Sequence, residues 1–96
     1  DLIYQNRFQK ITLNEVASVL EITPSYLSRI FKKVTQQSFS DYVAEVKIEE
    51  AKSLLLKDNN RIYEVSSMLG YDDPYYFSKV FKKIAQMTPS EFIARN

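Results

Sequence analysis

Pro24-Ser25-Tyr26-Leu27-Ser28-Arg29-Ile30-Phe31-Lys32-Lys33 decides the fold of this chain. It returns 50 positions later as Pro74-Tyr75-Tyr76-Phe77-Ser78-Lys79-Val80-Phe81-Lys82-Lys83. Gln36 and Ser40 recur at the same offset as Gln86 and Ser90. Upstream, Glu15, Val16, Ser18 and Leu20 recur 49 positions later as Glu64, Val65, Ser67 and Leu69. The second copy therefore carries one extra residue, within Gly70-Tyr71-Asp72-Asp73. Two copies are too few for a solenoid, so the pattern is a motif duplicated within one domain.

Start signals make each copy a pair of helices. Thr12-Leu13-Asn14-Glu15 is a capping box opening a helix to about Leu20. Thr23-Pro24 and Asp73-Pro74 each place an N-cap before a proline at the first helical position, giving helices over about 24–35 and 74–85. Gly70 is the natural left-handed terminator of the helix before it. Ser38-Phe39-Ser40-Asp41 opens a long helix ending near Lys57, Asn59-Asn60 breaks the chain, and the capping box Thr88-Pro89-Ser90-Glu91 opens a short last helix. Two short helices joined by a tight turn, the second started by proline, make a helix-turn-helix. The small Ala17 and Ser66 let the paired helices approach closely.

Faces follow from spacing. Leu27, Ile30, Phe31 and Val34 lie at i, i+3, i+4 and i+7 and are expected in a core, as are Phe77, Val80, Phe81 and Ile84. Tyr26 and Tyr76 are read as packing residues. The opposite stripes, Ser25-Ser28-Arg29-Lys32 and Tyr75-Ser78-Lys79-Lys82, hold hydroxyls and cations and no carboxylate. A solvated helix usually mixes both signs; a face meant for phosphates and base edges excludes acids. The long helix has two apolar sides, Phe39, Tyr42, Val43 and Val46 on one and Ala44, Ile48, Ala51, Leu54 and Leu55 on the other. It is expected to connect two cores.

Composition narrows the function. With 96 residues the chain forms one small unit, or two very small ones sharing an element. One glycine is too few for an all-β chain with its many tight turns. No cysteine and no histidine removes disulfides, thiol catalysis, imidazole bases and the usual zinc sites. The expectation is no enzyme, no metal and no cofactor, no membrane segment, and a reducing cytoplasm. The first residue, Asp1, suggests an excerpt of a longer protein. Net charge is only +1, yet segments 24–34 and 74–84 hold 6 of the 13 basic residues and no acid, leaving the remainder at 7 basic against 12 acidic. Positive charge is thus focused on the two proline-started helices, which favours a DNA reader. The acidic remainder and Tyr75 keep a protein-interaction module open as the second reading.

The two quoted stretches, together with Met87-Thr88-Pro89-Ser90-Glu91-Phe92, resemble the AraC/XylS family of bacterial transcription regulators from Thr12 onward. The resemblance implies an all-α domain of seven helices: subdomain one over about 1–37, a linker helix over about 39–57 and subdomain two over about 60–96, with Asp1 to about Gln9 as the first helix. It implies sequence-specific binding of double-stranded DNA, with the helices at about 24–35 and 74–85 in adjacent major grooves. RNA polymerase and a companion sensor or receiver domain are the further partners implied. Carried over by position, the base-reading candidates are Ser25, Ser28, Arg29, Tyr75, Ser78 and Lys79. The phosphate candidates are Lys32, Lys33, Lys82 and Lys83. Arg29 suits a bidentate grip on guanine, with a phosphate contact as its alternative; Tyr75 either touches a thymine methyl or stands free. The chain departs from the family at Gln36 and Gln86, where glycine is common, and at Lys47, where arginine is usual and any bidentate bridge is put in doubt.

Overall fold

The computed structural model describes residues 2–57 and 59–96. These residues form seven helices: α1 (Leu2–Gln5), α2 (Leu13–Val19), α3 (Pro24–Thr35), α4 (Phe39–Leu55), α5 (Ile62–Met68), α6 (Pro74–Ala85) and α7 (Pro89–Arg95). Side-chain caps set most of the starts. Thr12, Thr23 and Ser38 accept the amide hydrogens of Glu15, Tyr26 and Asp41 at 3.1, 3.2 and 3.1 Å, and Asp73 accepts that of Tyr75 at 2.9 Å. The reciprocal box is complete at Thr88, where the Glu91 carboxylate also accepts the Thr88 amide. Glu64 does the same for the Arg61 amide at the head of α5.

Among the described residues, two hydrophobic cores share α4 and no buried residue. The first gathers Ile3, Val16, Ala17 and Leu27 around Phe39 and Val43. Phe31 meets Phe39 and Tyr42 edge-on there, at 5.5 and 5.1 Å between centroids. The second gathers Val65, Leu69, Phe77 and Phe81 around Ile48, Ala51 and Leu55. The two apolar sides of the long helix are thus used as expected. Ala17 and Ser66 are buried at equivalent places, where small side chains let α2 meet α3 and α5 meet α6.

Where the two halves meet, the long-range contacts centre on Lys47. It is only 5 % exposed, and its ammonium donates to the carbonyls of Gln9 and Leu69. Leu69 caps the C-terminus of α5, where a cation is favoured. Beside it Gly70 has φ +83°, and a Cβ there would lie 3.0 Å from the backbone of Gln9 and of Lys10. Lys10 reaches Asp72 at 2.5 Å, and Arg7 reaches Glu50 on α4 at 2.7 Å.

Three expectations are corrected. The first helix ends at Gln5, not Gln9, because residues 6–10 turn away into this junction; the expected start at Asp1 lies outside the described residues. The long helix stops at Leu55 rather than Lys57: the Leu56 and Lys57 amides tighten onto Ser53 and Leu54, and the Asn60 side chain takes the Leu54 carbonyl. Val34, expected in the core, is 75 % exposed. Its counterpart Ile84 lies against α4 near Ala44, whereas Val34 has no helix lying over it among the described residues.

Gln36 and Gln86 are both left-handed with φ 62°, and so is Glu21 with φ 59°, the counterpart of Gly70. A left-handed L-residue costs about 1–2 kcal/mol, offset by about 0.4–1 kcal/mol because glycine has the larger unfolded-state entropy. Glycine at any of these three positions should therefore raise stability by up to about 1 kcal/mol in urea unfolding. Gly70→Ala should lower it by more than about 1 kcal/mol, since strain and the backbone contact add. A pH effect follows at α7. Hydrogen bonds from Thr88, with the charges of Arg95 and Lys82 adding, hold the Glu91 carboxyl below its ordinary value. A depressed carboxyl stabilises the fold above its unfolded value and loses that contribution as pH falls through the folded one. NMR should show Glu91 titrating below free glutamate, with amide protection in α7 lost over the same acid range.

Candidate nucleic-acid interface

α3 and α6 are built alike. Each begins at proline behind a side-chain cap, turns its apolar stripe onto its own core and ends at a left-handed glutamine whose amide bonds the carbonyl four residues back, at 2.8 Å. Lys32 and Lys33, and Lys82 and Lys83, occupy the last turns, where cations complement the helix dipole as well as any phosphate.

On α3, Ser25, Ser28, Arg29, Lys32 and Lys33 are all exposed. Tyr26 is 47 % exposed rather than packed, and the Arg29 guanidinium lies 6.0 Å from its ring centroid. This contact one turn apart steadies a long cation that would otherwise swing freely. On α6, Tyr75 is 80 % exposed, Lys79, Lys82 and Lys83 are exposed, and Ser78 is half-buried. Tyr76 is 58 % exposed, so the expectation of packing fails there too, although its ring leans on Tyr71 at 6.2 Å.

The carboxylate-free character of the stripes survives in space on α3 better than on α6. Lys79 and Lys83 line a groove between α4 and α6 that also contains Asp41 and Glu45. A helix read in isolation does not reveal this, because both acids belong to α4. Glu21 and Lys47 were also under-read. The 49-residue offset sets Glu21 opposite Gly70 and so marks it as left-handed. Lys47 needs no planar fork, since its two acceptors are separate carbonyls.

The molecule measures 43 × 21 × 21 Å. Its 17-residue connector α4 spans about 26 Å. Successive major grooves on one side of a duplex lie about 34 Å apart, within the long dimension of the molecule. Among the described residues no His, Cys, Asp and Glu group is arranged to hold a metal ion, and no helix is long and apolar enough to cross a membrane.

Comparison with known proteins gives one family. The model of the helix-turn-helix domain matches residues 16–95. An uncharacterised helix-turn-helix transcriptional regulator, YobQ of Bacillus subtilis (strain 168), is 34 % identical over 71 residues, covering 74 % of this chain and 30 % of that protein. The chain thus matches under a third of this relative's length. Among solved structures, the C-terminal domain of AraT, a response regulator from Geobacillus stearothermophilus, superposes with a TM-score of 0.94 at 33 % identity, covering 99 % of this chain and 79 % of that one. A DNA-binding transcriptional dual regulator from Escherichia coli K-12 gives 0.89 at 29 % identity, covering 99 % and 90 %. With seven helices, two helix-turn-helix units on one connector and a family match over most of its length, the chain belongs to the AraC-type helix-turn-helix domains of transcription regulators.

Proposed function

We propose that the chain acts as a single DNA-binding domain, with subdomain one at about 1–37, the linker helix α4 at Phe39–Leu55 and subdomain two at about 60–96. It lays α3 and α6 into successive major grooves of a double-stranded target. The observation that carries this reading is the pair of exposed, cationic and hydroxyl-bearing faces on two equivalent helices at the ends of one rigid connector. Ser25, Ser28 and Arg29 face base edges from α3; Tyr75, Ser78 and Lys79 do so from α6. Lys32, Lys33, Lys82 and Lys83 hold phosphates. Any difference between the connector length and the groove repeat is met by the offset of the reading helices or by bending of the DNA.

The two heads differ in what they can specify. Arg29 offers a fork that matches guanine O6 and N7. On α6, half-buried Ser78 has a short reach, and Lys79 shares its surroundings with Asp41 and Glu45. In this reading α3 discriminates bases more sharply, and α6 adds affinity and register. In the longer protein a companion sensor or receiver domain supplies the signal and RNA polymerase is the downstream partner, in the cytoplasm. AraT, whose C-terminal domain this chain resembles, is a response regulator, which supports such a companion.

The test is selection of duplexes from random DNA by this chain, followed by affinity against salt. Four lysine–phosphate contacts predict that log K falls against log salt with a slope of roughly −3.6. Arg29→Ala should lose about 1–3 kcal/mol of discrimination at one base pair, while Lys82→Ala should weaken every duplex alike and flatten the slope by roughly 1. Failure to bind any duplex at low salt would overturn the reading.

A further inference from the structure

The two cores share α4 but no buried side chain, so each helix-turn-helix is ordered by its own core. Both pack on α4, which sets their separation; contacts that cross directly between the halves refine how one is turned against the other. Exposed ion pairs such as Lys10–Asp72 contribute little to such a setting. Lys47 is different. It lies on α4 between Val46, packed against the first core, and Ile48, buried in the second. Its ammonium is bonded both to Gln9, in the segment between α1 and α2, and to Leu69, at the end of α5. It joins the two halves with charge-assisted hydrogen bonds to two backbone carbonyls, and the one to Leu69 is buried, where an unmet carbonyl is costly.

The contact continues into α6. The Tyr71 ring lies 5.5 Å from the Lys47 ammonium, and the Tyr76 ring, in the first turn of α6, lies 6.2 Å from Tyr71. Burial pushes the Tyr71 hydroxyl up to about 12, so the ring stays neutral beneath the cation. Gly70 completes the junction, because only a residue without Cβ lets this turn approach Gln9 and Lys10 so closely. The equivalent turn of the first half bears Glu21, which is exposed and makes no such approach a requirement.

We propose that Lys47 is a positioning residue for DNA reading: by tying Gln9 to Leu69 and bearing on Tyr71, and through that ring on Tyr76, it sets the orientation of α6 relative to α3 and hence the half-site spacing that the domain accepts. This rests on the DNA-reading function proposed above. Lys47 touches no DNA in this account; it acts through the second reading helix. A lysine with an apolar replacement of similar length, Lys47→Met, loses the tie while keeping the stem that packs on α4. Lys47→Arg keeps a cation able to donate to both carbonyls.

The experiment compares wild type, Lys47→Met and Lys47→Arg on the duplex that the wild-type chain selects from random DNA, and on the same duplex with either half-site scrambled. Residual dipolar couplings on the free proteins report the orientation of the two halves without DNA. Lys47→Met should lose at least tenfold of the affinity gained from having both half-sites, stay within about twofold of wild type on the duplex retaining the α3 half-site, and show two alignment tensors where the wild type shows one. Lys47→Arg should restore both. The proposal is overturned if Lys47→Met keeps the full two-site gain, or if it loses affinity equally on one and two half-sites. If Lys47→Met does not fold, Gly70→Ala carries the same comparison, because its Cβ pushes against the same junction. If the wild type selects no duplex, the DNA-reading function fails, and the couplings alone decide the junction: a single unchanged tensor in Lys47→Met overturns it.

Discussion

One helix must bury two different faces, and the rest of the structure depends on that constraint. Phe39 and Val43 near the start of α4 close the first core; Ile48, Ala51 and Leu55 further along close the second. A helix is stiff over this length, so burying both faces holds the two helix-turn-helix units apart on one scaffold rather than letting them collapse into a single core. The changeover between the faces is also where Lys47 is buried. A charged side chain there is tolerated because two backbone carbonyls and an aromatic ring receive it; burial nevertheless draws its pKa downward.

Duplication produced two units that are alike in backbone and unlike in surroundings. Glu21 and Gly70 occupy the same left-handed corner, but Glu21 is exposed while Gly70 lies against the backbone of Gln9 and Lys10. Val34 and Ile84 close the same apolar stripe, but only Ile84 finds α4 beside it. Lys33 and Lys83 end the same run of cations, but only Lys83 shares a groove with Asp41 and Glu45. In each pair the backbone role was copied, while the surroundings differ: Gly70 meets the Gln9–Lys10 segment, and Ile84 and Lys83 meet α4.

That distinction also explains what could be read from the sequence. Helix starts were legible because caps are local: Thr12, Thr23, Ser38, Asp73 and Thr88 bond amides two or three residues away. The two faces of α4 and the buried Ala17 and Ser66 were legible because periodicity and residue size carry them. The exposure of Val34, Tyr26 and Tyr76, the half-burial of Ser78, and the early end of α1 were not, since each is decided by a neighbour remote in sequence or by the lack of one. Of the candidate site, the outward stripe of α3 emerged as exposed as expected. That of α6 emerged in a more mixed electrostatic setting, because the acids facing it belong to another helix.

Two reading helices on one connector are proposed to engage successive turns of the same duplex. Hydroxyl-radical footprinting of this chain on its selected duplex reads that engagement out base by base. Two protected windows on one face of the DNA, their centres about 10 base pairs apart, are expected. A single window, or two windows on opposite faces, would contradict it.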